Sequence, residues 1–498
     1  MRKKMVKTAT GLAGLFLGVT LASAAALPGS GWFTSASIQN IDPSAATNVS
    51  LTAYGGSTTY NSATFSLPAG KSVVFFPGHG SQTNDISSGF VDTSPTLPGG
   101  FTGGMVVSSA PAAVAAIAQV ANNQVYPDVG TPGGEAAEQY RGSGATTSTI
   151  LYPTVKNDYS GKTTLLAVQA ASNNVNYTAT ITDNAGGTHT KTGAITADNS
   201  ILLGPSDFSP AMAASCSGDA NTVACIGSVN ITATGGNIAG AIMEYQTGVT
   251  PAILVQSTAM FTTSDAGSTV NCPSFKNAFN STQQRTTGIT VQNTGSATAT
   301  VNLTLTGAQG PATGHTYTSS ISIPAGASRT FSPFSNNIGN FPAASQGSAQ
   351  LTASGGSLIA NVNEQNFGTT PVKATTYSCS SAAVATNKIA FPQVKKNYGD
   401  PSVGTQATTG LSIQNVDTSA ANLSAVYACN TGTFTVPFNL PVGQSYTFFQ
   451  PSQVPDNSLC AATVTSTGGK IIGVAQETTD FSPGIKLLNT KNYEGINE

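Results

Sequence analysis

Apolar and polar residues alternate along most of this chain with a period of two. Val301, Leu303 and Leu305 alternate with polar neighbours, and similar runs recur from residue 37 onward. This period is typical of strands with one buried face, because successive side chains of a strand point to opposite sides of the sheet. We find no convincing amphipathic helix pattern after the N-terminal segment. The sequence therefore predicts an all-β fold.

The predicted strands come in a repeated order. The sequence Gly288-Ile-Thr-Val-Gln-Asn293 recurs in related form, and its glutamines (Gln39, Gln169, Gln292 and Gln414) are 130, 123 and 122 residues apart. A period near 120 is the size of a small β-sandwich and is too long for a solenoid repeat. The sequence predicts a signal peptide at residues 1–26 and four tandem immunoglobulin-like β-sandwiches at residues 27–150, 151–270, 271–390 and 391–498.

Two further features recur in these copies. A turn of the Pro-Ala-Gly type precedes a short strand, with its turn position held by Gly70, Gly326 and Gly443 and, in copy two, by Asp198. A Pro-x-[Val/Phe]-Lys-Asn pattern stands at residues 151–157, 272–277 and 391–397. Because the same residues recur three times, we expect an ordered joint between copies rather than a flexible linker.

The order of these motifs resembles the tandem immunoglobulin-like repeats of secreted surface proteins from filamentous, Chloroflexota-type bacteria. The resemblance covers most of the mature chain, and it implies a fold and a location but no activity. Copy one departs from the pattern because it lacks the Pro-x-[Val/Phe]-Lys-Asn segment. Copy two departs from it because no asparagine follows Gln169.

The N-terminal residues have the pattern of a secretory signal. Four basic residues within the first seven precede an apolar run at residues 11–21, and Ala22-Ser-Ala24 is a small-residue cleavage site. Cleavage removes four of the 19 basic residues, so the mature chain has 15 basic and 21 acidic residues and a net charge of −6. No second run of 18 apolar residues follows, so we expect no transmembrane segment. We predict a secreted protein at the cell surface.

Composition narrows the classes of function. Charged residues make up 8% of the 498 residues, and no basic patch is present, so we expect no nucleic-acid partner. The six cysteines are an even number in an exported chain, which favours disulfides. We favour pairing within each copy among the 15 possible connectivities, that is, the pairs Cys216 with Cys225, Cys272 with Cys379, and Cys429 with Cys460.

Residues that could carry chemistry are scattered. The histidines His79, His189 and His315 lie in different copies, and no zinc, calcium or nucleophile motif occurs. We therefore predict no enzyme, no cofactor and no metal. The four repeated glutamines recur with Glu244, Glu364 and Glu477, and with Gln119 in copy one. We interpret them as hydrogen-bonding groups of each domain, and a cation or glycan site stays open as the alternative.

Four Asn-x-Ser/Thr sequons begin at Asn48, Asn176, Asn302 and Asn422, in the second strand of each copy. Their apolar neighbours point inward, so these asparagines are predicted to point outward. They are candidates for N-glycosylation. The alternative is chance, because Asn, Ser and Thr are frequent in this chain and many bacteria leave the motif unmodified.

The C-terminal segment looks like a fourth joint segment without a following domain. Lys491, Asn492 and Tyr493 parallel the sequence Lys396-Asn397-Tyr398. Copy one lacks a joint segment, so this tail is predicted to dock on the first domain of the next protomer, head to tail. The predicted function is a self-associating, non-catalytic subunit of a surface layer, sheath or extracellular filament.

The alternative function is a secreted adhesin or a glycan-binding protein that contacts cell-surface glycans. The loops at residues 78–100 and 125–144 differ from those of the other copies and could carry recognition. Trp32 is the only tryptophan, and aromatic residues make up 7% of the chain, which favours the structural role over glycan binding.

Overall fold

A computed structural model of the chain describes residues 15–16, 27, 32–56, 58–75, 93–94, 96–98, 101, 103–122, 137–142, 146–246, 253–368, 373–399, 406–449, 451–480 and 489–497. Within these residues the regular elements are strands and short 3-10 turns. The strands form antiparallel sheets that pair into four sandwiches. This confirms the predicted all-β class.

The strands are numbered here in chain order. Domain 1 contains β1 (Leu15–Phe16), β2 (Trp32–Asn40), β3 (Thr47–Gly55), β4 (Thr58–Ser62), β5 (Phe65–Leu67), β6 (Ser72–Phe75), β7 (Thr93–Ser94), β8 (Gly104–Ala110), β9 (Val114–Asn122) and β10 (Ala137–Arg141). Domain 2 contains β11 (Thr149–Lys156), β12 (Lys162–Ala171), β13 (Val175–Asp183), β14 (Thr188–Ile195), β15 (Ser200–Leu203), β16 (Ile226–Thr234), β17 (Asn237–Gln246), β18 (Ile253–Ala259) and β19 (Phe261–Thr262).

Domain 3 contains β20 (Thr269–Asn277), β21 (Arg285–Asn293), β22 (Ala299–Gln309), β23 (Thr316–Ile323), β24 (Ser328–Phe331), β25 (Ser345–Ser354), β26 (Leu358–Asn366), β27 (Lys373–Ser378) and β28 (Ser380–Ser381). Domain 4 contains β29 (Lys388–Lys396), β30 (Gln406–Asn415), β31 (Ala421–Cys429), β32 (Gly432–Leu440), β33 (Ser445–Phe448), β34 (Ser458–Thr467), β35 (Ile471–Asp480), β36 (Asn489–Glu494) and β37 (Ile496–Asn497). The 3-10 turns are Pro205–Asp207, Thr263–Asp265, Gly310–Ala312, Pro333–Ser335 and Ala382–Val384.

Domains 2, 3 and 4 share one topology. A five-stranded sheet, in the order β14-β13-β16-β11-β19 in domain 2, faces a four-stranded sheet in the order β15-β12-β17-β18. Domains 3 and 4 repeat both orders with their own strands. The alternating residues fill the space between the sheets: Val301, Leu303 and Leu305 are fully buried, whereas Asn302 is exposed.

The Pro-x-[Val/Phe]-Lys-Asn segments form the first strands of the domains, β11, β20 and β29. The structure therefore places them inside the sheets, where they pair with β16, β25 and β34, and not between domains. A β-bulge interrupts each pairing next to the proline, between Tyr152 and Val155 in domain 2. A bulge suits this position because proline has no N–H group to donate to the ladder.

Domain 1 differs at this first-strand position. The strand that pairs there with β8 is β1, which comes from the predicted signal peptide. Phe16 lies opposite Val107, as Ile150 lies opposite Ile231 in domain 2. Residues 15 and 16, which the sequence assigns to a predicted leader, therefore hold the place that the first strand holds in the other three domains.

The four domains close into a ring. The last strands of the four-stranded sheets, β10, β18, β27 and β36, are called the central strands here. Each of them contacts two others in the cycle β10–β18–β27–β36–β10. A contact between different surfaces of successive units gives a ring when the rotation closes, and here it closes within one chain.

Domains 2, 3 and 4 each pack on the next domain of the ring in the same way. The first strand β11 contacts β21 and β26, β20 contacts β30 and β35, and β29 contacts β2 and β9. On the outer face of the four-stranded sheets, Ile359 joins the core of domain 2, Val474 that of domain 3 and Ile117 that of domain 4. Between domains 1 and 2, where a first strand is lacking, an apolar cluster includes Leu27, Tyr140 and Met243.

Candidate functional site

A buried ion pair lies at the same place in three of the domains. The lysine at the end of the first strand meets a glutamate on the neighbouring sheet: Lys156 Nζ is 2.7 Å from Glu244, Lys276 Nζ is 2.8 Å from Glu364, and Lys395 Nζ is 3.1 Å from Glu477. The three glutamates are at most 2% exposed. A buried charge is tolerated when it is paired and hydrogen-bonded, so the repeated lysine and glutamate depend on each other.

Neighbouring groups favour the ionised form of two of these carboxylates, Glu364 and Glu477. Burial alone favours the neutral acid of Glu364, but Lys276 and Arg285 outweigh it and hold the pKa of Glu364 below its usual value. Burial has the same effect on Glu477, and there Lys395 and Lys491 lower the pKa. Gln476 of domain 4 also donates to Glu364, at 3.1 Å, so the pair of domain 3 extends into the next domain.

The described part of domain 1 contains neither partner of the pair. Gln119 was expected to occupy the glutamate position, but the strand register assigns that position to Val120. Gln39 lies opposite Ala115 as Gln292 lies opposite Ile359, and five residues further on are Val120 and Glu364. The described residues of domain 1 include no first-strand lysine to neutralise a glutamate, so an apolar residue there avoids an unpaired buried charge.

The repeated glutamines do not meet the repeated glutamates. In domain 3, Gln292 lies on the outer face of its sheet, whereas Glu364 points into the sandwich with its register partner Thr287. Gln292 donates to the backbone oxygen of Gly326 at 3.2 Å, and Gln39 donates to Thr463 of domain 4 at 3.5 Å. The structure thus places the two sets on opposite faces of one sheet.

The repeated Pro-Ala-Gly turn is part of the domain–domain contact. Ser228 Oγ of domain 2 donates to the backbone oxygen of Gly326 at 2.7 Å, and Ser348 Oγ of domain 3 donates to that of Gly443 at 2.9 Å. Both glycines adopt a positive φ, 72° and 71°, which suits a residue without a Cβ. The sequence identified this turn, but a single-domain pattern does not indicate that it contacts a neighbour.

The central strands bring polar groups of different domains together near the ring axis. Thr375 of domain 3 donates to Glu138 of domain 1 at 3.2 Å, and Thr258 of domain 2 donates to Glu494 of domain 4 at 3.0 Å. Glu138 and Glu494 are 1% and 3% exposed. Burial raises the pKa of Glu138 well above its usual value, which the hydrogen bond from Thr375 and the charge of Lys491 only partly oppose.

The C-terminal residues predicted as an assembly tail belong to the fourth domain. Lys491 Nζ lies 3.4 Å from Glu477, and Asn492 and Tyr493 are each 1% exposed. The tail, as β36, does contact domain 1 through β10, but this contact lies inside one chain. The head-to-tail contact that was expected between protomers is therefore replaced by closure of the ring.

The cysteines form three disulfides, and the described residues include no free cysteine. Cys216 is bonded to Cys225, Cys272 to Cys379, and Cys429 to Cys460, the same pairs that the sequence favoured. The second bond joins the first strand of domain 3 to the residue after β27, across 107 residues. Disulfides of this kind persist in oxidising compartments.

All four sequon asparagines are exposed. Asn48, Asn176 and Asn422 share one register position, opposite Ala110, Thr234 and Thr467, and Asn302 lies two residues further along its strand on the same face. Their exposure leaves them accessible for modification.

The remaining candidate residues either make hydrogen bonds within a domain or lie outside the described residues. His189 contacts Asp183 at 3.0 Å and the backbone oxygen of Pro210 at 2.8 Å. His79 and most of residues 78–100 lie outside the described part, as do residues 125–136, whereas residues 137–141 form the central strand β10 rather than a loop.

No group of three metal-ligating side chains occurs among the described residues. No helix in that part is long and apolar enough to cross a membrane.

Comparisons with known proteins add little. No family model matches the chain, and no curated protein matches it. One solved structure, that of Thermotoga maritima 1070, aligns over 23% of this chain and 96% of its own, with 12% identity and a TM-score of 0.19. A tetra-tandem repeat from the extending region of a large adhesion protein aligns over 92% of this chain and 93% of its own, with 12% identity and a TM-score of 0.11. Likenesses at these scores carry no argument about function.

Proposed function

We propose that this chain is a non-catalytic extracellular building block, a ring of four β-sandwiches that serves as a subunit of a surface layer, sheath or filament. The observation that carries the proposal is that the recurring polar groups of the chain are engaged in contacts that hold its domains together. The buried ion pairs, the repeated glutamines and the turn glycines all serve contacts within and between the domains. Among the described residues, the contacts of these groups hold the domains together, which supports a structural role.

The outer surface supports the same proposal. Charged residues are 8% of the chain, and three of the few lysines are used inside the domains. Because charged side chains are sparse, few like charges meet when copies pack against one another. The ring also gives a compact unit of fixed size, which suits a regular array better than a flexible string of domains does.

Electron microscopy of the secreted protein tests this function. Negative-stain images of the purified mature chain over a range of concentrations are expected to show four-lobed rings that form sheets or filaments. Phe334 and Phe449 are 70% and 56% exposed, so Phe334→Ser and Phe449→Ser are expected to weaken the array and leave the rings intact. Asn302→Ser, at an exposed polar position, is the matched control.

Single rings at every concentration, together with specific binding of those rings to immobilised glycans, would overturn the structural role in favour of an adhesin. Arrays that bind no glycan would support it.

A further inference from the structure

Four polar side chains converge where domain 3 packs on domain 4, and they are called the joint cluster here. Domain 3 contributes Lys276 of β20, Arg285 of β21 and Glu364 of β26, which are 3%, 8% and 2% exposed. Domain 4 contributes Gln476 of β35, which is partly buried. An amine, a carboxylate and a carboxamide held together away from water are the groups that an amide exchange requires, in which the amine displaces ammonia.

The amine of Lys276 lies against the carboxamide of Gln476. Lys276 Nζ is 2.6 Å from Gln476 Oε1. Because a C=O bond is about 1.23 Å long, Nζ lies no more than about 3.8 Å from the carbonyl carbon Cδ. Reacting atoms held about 3–3.5 Å apart gain the rate advantage of an intramolecular reaction. The nitrogen of Lys276 is therefore at, or close to, attack distance from Cδ.

Glu364 contacts both partners of this exchange. Its Oε2 is 2.8 Å from Lys276 Nζ, and Gln476 Nε2 donates to Oε1 and Oε2 at 3.1 Å each. A carboxylate in this position can accept a proton from the amine and return it to the nitrogen that leaves. Burial, together with the charge of Arg285, lowers the pKa of Lys276 to about 8 against the opposing charge of Glu364. The neutral amine, which is the nucleophile, is therefore accessible.

Arg285 completes the joint cluster. Its Nη1 donates to Gln476 Oε1 at 2.6 Å, and this oxygen gains negative charge when an amine attacks the carbonyl carbon. The guanidinium also lies 3.8 Å from Glu364 Oε1. An amide formed by Lys276 carries no charge, and Arg285 then remains as the cation that pairs with Glu364. The exchange thus leaves no buried carboxylate without a partner.

We propose that Lys276 and Gln476 form a covalent amide cross-link between domains 3 and 4. Lys276 gives a proton to Glu364, and its Nζ then bonds to Cδ of Gln476 while Arg285 holds the carbonyl oxygen. The bond from Cδ to Nε2 breaks. Through Glu364, the attacking nitrogen loses a proton and Nε2 receives one and leaves as ammonia.

Overall, the ammonium group of Lys276 and the carboxamide of Gln476 become one amide, and one ammonium ion is released. The step needs no oxidant, reductant or further reactant. The cross-link goes beyond the proposed function, since it reinforces one joint of the ring whether or not copies assemble.

Mass spectrometry of the secreted mature chain, reduced and alkylated, tests the cross-link. Once the N-terminus is determined, the intact mass is expected to be lower by one ammonia than the sequence requires. Trypsin is expected not to cleave after Lys276, and the peptide of residues 471–486 is expected to be attached there through Gln476. A folded mature chain of full mass that trypsin cleaves after Lys276 would overturn the proposal. A loss of ammonia at another site, with Lys276 free, would overturn it as well.

Variants of the full mature chain test the assigned roles. In chains shown to be folded by circular dichroism, Gln476→Met and Glu364→Gln are expected to lower the cross-linked fraction at least about 10-fold. The matched control is Gln365→Met, at the neighbouring glutamine of β26, which is expected to keep the cross-link. Cross-linking of Glu364→Gln at the level of the wild type contradicts the role of the carboxylate. If Glu364→Gln does not fold, the peptide map of the wild type still decides the proposal.

Discussion

Removing the carboxylate of Glu244 alone is expected to damage the protein far more than removing the whole ion pair does. Glu244→Val leaves Lys156 buried, at 8% side-chain exposure, without its partner at 2.7 Å. It also removes the acceptor of Gln256, which donates to Glu244 at 2.7 Å. Breaking a buried pair from one side costs about 3–5 kcal/mol.

The double variant Lys156→Met/Glu244→Val replaces the ion pair by apolar residues, as in domain 1, where Val120 takes the glutamate position. Replacing both partners of a buried pair by apolar residues is often neutral or stabilising by about 1–4 kcal/mol. We therefore expect the double variant to regain most of the stability that the single variant loses.

Differential scanning calorimetry of the full mature chain is the assay. For a domain of about 100 residues, 1 kcal/mol shifts the melting temperature by at least about 4 °C, so Glu244→Val is expected to lower the first transition by roughly 12–20 °C. The control is Asp456→Val, which breaks a pair whose carboxylate side chain is 69% exposed. Such a pair contributes no more than about 1 kcal/mol.

A double variant that melts as low as the single variant would refute this explanation of the repeated lysine and glutamate. An equal effect of Glu244→Val and Asp456→Val would refute it as well.

Three further predictions concern the central strands and a disulfide. Glu138→Gln keeps an acceptor for Thr375 but removes a carboxyl group whose pKa rises on folding, so the variant is expected to be more stable than the wild type only above the usual pKa of 4.5. Melting curves should show a higher melting temperature of the variant at pH 8 but not at pH 4, and an equal increase at both would contradict the assignment. Tyr493→Ala empties a fully buried position and is expected to cost about 3–5 kcal/mol in denaturant unfolding of domain 4, whereas a cost below about 1 kcal/mol would mean that the C-terminal strand is not packed there. Replacing Cys272 and Cys379 by alanine opens a loop of 107 residues and is expected to cost about 5 kcal/mol of stability by the chain-entropy estimate. This is about twice the cost expected for replacing Cys216 and Cys225, which close a loop of nine residues. Calorimetry of the two variants checks that the first loses more stability than the second.

The sequence predicts the sandwiches well because the relevant signal is local. Alternation at Val301, Leu303 and Leu305 depends on one strand, and the turn at Gly326 depends on the backbone of a few residues. The spacing of the glutamines identifies four copies because gene duplication leaves a period that can be read without a structure.

The ring could not be predicted in the same way. Contacts between domains involve residues hundreds of positions apart, such as Glu138 and Thr375, and no local pattern relates them. The tail at Lys491 to Tyr493 was recognised as homologous to earlier segments, but its destination depends on whether successive rotations close, which sequence repeats do not specify. The shift from Gln119 to Val120 shows the same limit, because one residue of register decides which side chain points inward.

Closure of the ring adds a fourth joint, between domains 4 and 1, that the polypeptide does not cross, and the first strand β29 builds it as β11 and β20 build the joints after domains 2 and 3. A circularly permuted chain that begins with domain 3 and connects domain 4 to domain 1 is therefore expected to keep the same contacts. Because closure is intramolecular, its effective concentration is set by the connected domains and does not fall on dilution, unlike a ring assembled from four separate chains. Fusion into one chain also allows each copy to diverge, as domain 1 has done at its first strand, without changing the other three.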